Sequence, residues 1–124
     1  MPGRIPIRRF EELVAEALDD LPPEWAERMD NVVVQVEDEP SREDLEMVGL
    51  DPDDPESDLL GLYHGVPLDE RGMEIFALPD RIVIYRGPTL REARSRHEVL
   101  QVIRETVLHE LGHHFGLEED DLPF

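Results

Sequence analysis

A chain of 124 residues is long enough for one domain with a single core and too short for two, so residues 1–124 are expected to form one domain. It contains no cysteine, which excludes a disulfide framework and a thiolate metal site, and its formal net charge of −19 argues against a nucleic-acid partner. No apolar run reaches membrane-spanning length and Met1-Pro2-Gly3-Arg4-Ile5-Pro6 lacks the apolar stretch of a signal peptide, so the expectation is a cytoplasmic protein without a membrane partner.

Phe10, Leu13, Val14, Ala17 and Leu18 have helical spacing and predict an amphipathic helix that stops before Leu21-Pro22-Pro23. Pro23 to Met29 suits a short second helix with proline at its start. Val32-Val33-Val34-Gln35-Val36 is a β-branched run and predicts a strand. Ser41 to Val48 predicts another short helix, and Asp51 to Asp58 a loop. Leu59 to Gly65 and Ile75 to Leu78 predict strands, and Arg81 to Arg86 predicts a further strand closed by Gly87-Pro88. A short helix from Thr89 to Arg94 then precedes a long final helix. Helices, strands and a long helix in that order predict an α+β domain in which one face of a small sheet covers the last helix.

That last helix carries the chemistry. His109-Glu110-Leu111-Gly112-His113 is an H-E-x-x-H pattern. Residues four apart lie one turn above each other on a helix, so His109 and His113 can present two imidazoles to one zinc ion. Glu110 projects about 100° round the helix from His109, where it can take a proton from a water held at the ion. With five histidines in 124 residues, the pattern arises in roughly 3% of shuffled chains, and in roughly 0.2% once Gly116 is required as well. Its flanks also suit a helix. Ser95 and Glu98 form a capping box that starts it near Arg96. Leu100, Ile103, Val107, Leu111 and Phe115 give one apolar face, and Val102, Thr106, His109 and His113 fall on a second. Gln101, Arg104, Glu105 and Leu108 are left for solvent.

Two histidines leave a zinc site short of a donor, so a third ligand is expected. Gly116 can reverse the chain, which makes Glu118, Glu119, Asp120 and Asp121 the candidates. In extended H-E-x-x-H motifs with this glycine the last ligand lies three residues beyond it, which favours Glu119. Alternation along an extended segment would then turn Glu118 and Asp120 to the other side and leave Asp121 about 6–7 Å further on. His64 is an upstream candidate, lying in a turn-like Tyr63-His64-Gly65. His97 and His114 have weaker claims: one sits in the first turn of the helix, the other about a quarter-turn away from His113. Tyr85 either packs or offers its hydroxyl to an oxyanion.

Of the 22 residues from Glu37 to Asp58, 11 are acidic and only Arg42 is basic. A solvated surface segment is the favoured reading, with a docking site for a basic protein partner as the alternative. Asp51-Pro52-Asp53-Asp54-Pro55-Glu56 lacks the glycine and the ligand order of an EF-hand calcium loop.

The run His109-Glu110-Leu111-Gly112-His113-His114-Phe115-Gly116-Leu117 resembles the signature of the small bacterial zincin-like metallopeptidases, the mini-zincins. Leu59 to Leu68 and Leu78 to Pro88 are also similar to segments of that family, and the resemblance extends from about Phe10 to near the C-terminus. It implies a minimal zincin-like fold: a small mixed β-sheet packed on an H-E-x-x-H active-site helix, N-terminal helices, and one zinc per chain. The family, like the aspzincins, usually has Asp three residues after the glycine, and here that position is Glu119; because aspartate is the family's usual ligand, the resemblance makes Asp120 the alternative. Only 11 residues follow His113, which leaves no room for a metzincin methionine turn or a gluzincin glutamate on a later helix.

Two readings of function follow. In the first, zinc held by His109, His113 and Glu119 supports hydrolysis of a peptide or protein substrate with Glu110 as general base. An exposed strand edge, Arg81 to Arg86 or Leu59 to Gly65, would hold the extended substrate. In the second, the chain is a non-catalytic zincin scaffold that binds zinc or a partner protein.

Overall fold

In the computed structural model, residues 5–28, 32–64 and 80–114 are described. The elements in chain order are α1 (Ile7–Asp19), α2 (Pro23–Arg28), β1 (Val32–Glu37), α3 (Arg42–Met47), β2 (Gly61–His64), β3 (Asp80–Tyr85), α4 (Arg86–Glu92) and α5 (Arg96–His114). The strand expected at Ile75 to Leu78 lies outside the described residues.

Among the described residues the sheet has three strands in the order β1-β3-β2. β1 pairs with β3 in parallel, Val34 opposite Ile82, and β2 pairs with β3 antiparallel, Tyr63 opposite Ile82. The sheet is therefore mixed, and β3 is its centre. Arg81 to Arg86 is not an exposed edge, contrary to the sequence expectation, because β3 is paired on both sides. β3 is buried at every position but Arg81, as a strand covered on both faces should be.

Strand alternation sorts the two faces. Ile82 and Ile84 join Phe10, Leu13, Val14 and Ala17 of α1 and Val99, Ile103, Val107, Leu108 and Leu111 of α5 in the main core. Val83 and Tyr85 point the other way and cluster with Leu62. On that second face the Tyr85 hydroxyl donates to Asp44 Oδ2 at 2.7 Å, which ties α3 to the sheet. Ser41 caps α3 as a reciprocal box with Asp44.

Two local expectations are corrected. Of the residues expected at solvent, Gln101 and Glu105 are exposed, but Leu108 is 1% exposed in the core shared with α1, and Arg104 is half-buried and ion-paired to Asp20. Gly87-Pro88 does not close β3 as a turn. The helix starts at Arg86, directly after the strand, and Pro88 is accommodated in its first turn, where no backbone N–H is needed.

The acidic segment is drawn back onto the body by arginines. Arg91 pairs with both Glu39 and Asp58 at 2.8 Å and Arg86 with Asp38 at 2.7 Å, while Arg42 and Asp53 pair within the segment at 3.0 Å. No helix among the described residues is long and apolar enough to cross a membrane.

Candidate metal centre on the last helix

α5 begins where the capping signal places it, with half of the box realised. The Glu98 N–H donates to Ser95 Oγ at 3.3 Å, whereas the Glu98 carboxylate accepts from the Arg94 N–H at 2.6 Å. From there α5 runs to His114 without interruption. Its core stripe, Val99, Ile103, Val107 and Leu111, is fully buried against the sheet and α1. That burial fixes the rotation of the helix, and so where His109 and Glu110 emerge.

They emerge into a cavity. Asp58, Leu59, Leu60 and Gly61 form one wall, Val102, Glu105, Thr106, His109 and Glu110 the other, with Glu92 at the rim, and the space is about 410 Å³. The expected second face of the helix is therefore present at Val102, Thr106 and His109. Both His109 and Glu110 are half-buried. Thr106 turns its hydroxyl back to the Val102 carbonyl at 2.8 Å, which leaves its methyl facing β2.

β2 comes unusually close to this helix. A Cβ at Gly61 would lie 2.6 Å from Thr106 Cγ2 and 3.0 Å from the Val83 carbonyl oxygen. Only a glycine allows the strand to form the cavity wall at this distance. The sequence offered Gly61 merely as punctuation in a strand. What it lacked was the partner across the gap.

His113 stands one turn beyond His109 in the helix. Its side chain, and residues 115–124 with Glu118, Glu119, Asp120 and Asp121, lie outside the described residues. Among the described residues no group of three or more His, Asp or Glu side chains could hold a metal. The donors that the motif brings to this end of the helix, imidazole nitrogens and carboxylate oxygens in a chain without cysteine, suit zinc.

Two candidates are placed elsewhere. His64 is paired with Arg81 and shares the sheet face of Leu62, away from α5. It cannot serve as third ligand on this helix without breaking the strand alternation. Tyr85 lies on that same far face with its hydroxyl held by Asp44, so it packs and offers nothing to an oxyanion at His109. Burial, together with the Asp44 carboxylate, pushes the Tyr85 phenol well above its ordinary pKa. His97 is exposed in the first turn of α5, distant from the cavity lining.

One pair on the near face was not singled out from the sequence. Tyr63 donates its hydroxyl to Asp80 Oδ2 at 2.6 Å, and Asp80 is only 4% exposed. An aspartate between Pro79 and Arg81 looks like turn chemistry in a sequence, and its burial becomes visible only once β3 is known to be central.

The family model described as zincin-like metallopeptidase matches residues 29–123. A solved structure of a conserved hypothetical protein from Thermus thermophilus is similar at 25% identity, with a TM-score of 0.55, over 90% of this chain and 94% of that one. No curated protein matches the sequence. The mixed sheet and the H-E-x-x-H helix define a minimal zincin-like fold. The chain belongs to the zincin-like metallopeptidase family.

Proposed function

We propose that the protein is a zinc-dependent peptidase whose ion is held by His109, His113 and a carboxylate after Gly116, with Glu119 favoured over Asp120. The observation that carries this reading is the cavity, in which His109 and Glu110 face a wall built from β2 and the residues just before it. Zinc, when bound, would supply Lewis acidity and lower the pKa of a coordinated water toward neutrality. Glu110 is the general base: it accepts a proton from the attacking water and passes it to the departing amine nitrogen. β2 lies at the edge of the sheet among the described residues, and an extended peptide would pair with it by strand addition. Leu59 and Leu60 give that peptide an apolar surface to lie on.

The test is turnover of a mixed peptide library by the zinc-loaded wild type and by Glu110→Gln. Hydrolysis by the wild type is expected, with its loss in the variant while about one zinc per chain is retained. Loss of zinc together with activity would make Glu110 a ligand and refute the mechanism. A wild type that binds zinc and hydrolyses nothing would support the non-catalytic scaffold.

A further inference from the structure

The Tyr63–Asp80 pair is placed by the sheet register beside the metal helix. Tyr63 sits opposite Ile82 and Gly61 opposite Ile84, so Gly61, Tyr63, Asp80, Ile82 and Ile84 all belong to the face turned toward α5. The Gly61–Thr106 approach anchors that face to the helix. α1 gives the direction. The Ile5 carbonyl accepts from Arg86 at the C-terminal end of β3, and Ile5 lines a groove with Arg96 and His97. Asp20 is ion-paired to Arg104, and Leu21 lines a groove with Val32, which pairs with Asp80. α5 therefore runs toward the Asp80 end of β3. From Gly61 to Tyr63 is about 7 Å along a strand, and the same distance along a helix is about four to five residues. Tyr63 is therefore level with Glu110 and Leu111, and Asp80 lies further on, toward the next turn.

A carboxylate withdrawn from water is retained where donors surround it. Tyr63 supplies one donor, and the hydrogen bond at 2.6 Å fixes the orientation of the Asp80 carboxylate. Imidazoles that bind a metal through one nitrogen generally donate the other ring N–H to a carboxylate or carbonyl, which selects the tautomer and holds the ring plane. We propose that Asp80, held by Tyr63, is the positioning residue that accepts the ring N–H of a metal-site imidazole, His109 or His113. This rests on the zinc reading of the helix. A purely structural pair would only tie β2 to β3.

The experiment compares the wild type with Asp80→Asn and Tyr63→Phe. Zinc affinity is measured by competition with a chromophoric chelator, thermal stability is measured on the zinc-free proteins, and ring-nitrogen NMR is recorded on the zinc-loaded ones. Asp80→Asn is expected to bind zinc about 10–100-fold more weakly, with a changed ring-nitrogen pattern at one of the two histidines. Tyr63→Phe is expected to weaken zinc binding in the same direction by a smaller factor. Wild-type affinity and an unchanged ring-nitrogen spectrum in Asp80→Asn would overturn the proposal while leaving the zinc site intact. If Asp80→Asn does not fold, Tyr63→Phe decides alone, because it removes a single hydroxyl, and an unchanged affinity and spectrum would overturn the proposal. A wild type that binds no zinc through His109 and His113 overturns this inference and the proposed function together.

Discussion

Gly61 has the least chemistry of the cavity residues and the least tolerance for change. Gly61→Ala would place a methyl 2.6 Å from Thr106 Cγ2 and 3.0 Å from a backbone oxygen, so β2 must move off α5. A loss of about 1–3 kcal/mol is expected from denaturant melts. Thr106→Ser removes the opposing methyl, and the double variant should lose less than the sum of the single ones. Non-additivity absent from that cycle would show that the contact is not what limits the position. The Asp44–Tyr85 bond gives a second test. Partial burial alone would raise the Asp44 pKa, but hydrogen bonds from Tyr85 and from the Ser41 N–H and hydroxyl outweigh it and hold the carboxyl below the usual range. A depressed folded pKa contributes stability that is present above the unfolded value of about 3.9 and is lost as pH falls through the folded one. Tyr85→Phe should therefore destabilise by about 1–2 kcal/mol at neutral pH, with the difference shrinking in melts below about pH 4. His109, Glu110 and His113 are legible in the sequence because their spacing is local. The far-side location of Tyr85 and His64 is not, because it depends on which residues of β3 face α5.

α5 is the element whose boundaries and faces are most legible in the sequence, and also the one where Leu108 departs from the solvent side expected for it. The capping signal at Ser95 and the stripe Ile103, Val107 and Leu111 are properties of the helix itself, and the helix has them. Leu108 sits among Gln101, Arg104 and Glu105 on a side that looks solvent-exposed in isolation. Gln101 and Glu105 do face solvent, but α1 covers the flank that carries Leu108, and Arg104 is half-buried against Asp20. Leu108→Ala is accordingly expected to cost about 2–5 kcal/mol in chemical denaturation, whereas a solvent-facing leucine would cost almost nothing. A cost below about 0.5 kcal/mol would return Leu108 to the surface. The same dependence on neighbours explains the strands. The β-branched runs of β1 and β3 are evident from composition, but only the pairing order makes β3 central and leaves β2 beside the helix. The start of α4 at Arg86 was hidden for a different reason. Gly-Pro is a turn signal by frequency, yet a proline within the first helical turn satisfies the same local rules.

A molecule with a net charge of −19 attracts cations over its whole surface, so specific and loose metal must be separated. Zinc titration in excess calcium is expected to leave about one zinc per chain, and the double change of His109 and His113 to Ala should remove it. Zinc at a hundredfold excess over its Kd should raise the unfolding free energy by about 2.7 kcal/mol, read as a rise in Tm. An equal rise in the double variant would assign the ion to the acidic surface. Added monovalent salt should also raise Tm in the metal-free protein by screening like charges. The pairing of β1 with β3 has a consequence for how the molecule is made. Val32–Glu37 and Asp80–Tyr85 are adjacent in space, yet residues 38–79 separate them in the chain. α1, likewise, packs on α5 from the opposite end of the sequence. An emerging nascent chain thus holds β1 without β3 and α1 without α5 until Asp80–Tyr85 and then Arg96–His114 have followed. Such distant pairings place folding toward the slow end for a domain of this size. Lengthening the connection between β1 and β3 should slow refolding only gently, because doubling a loop adds about 0.6 kcal/mol to its closure.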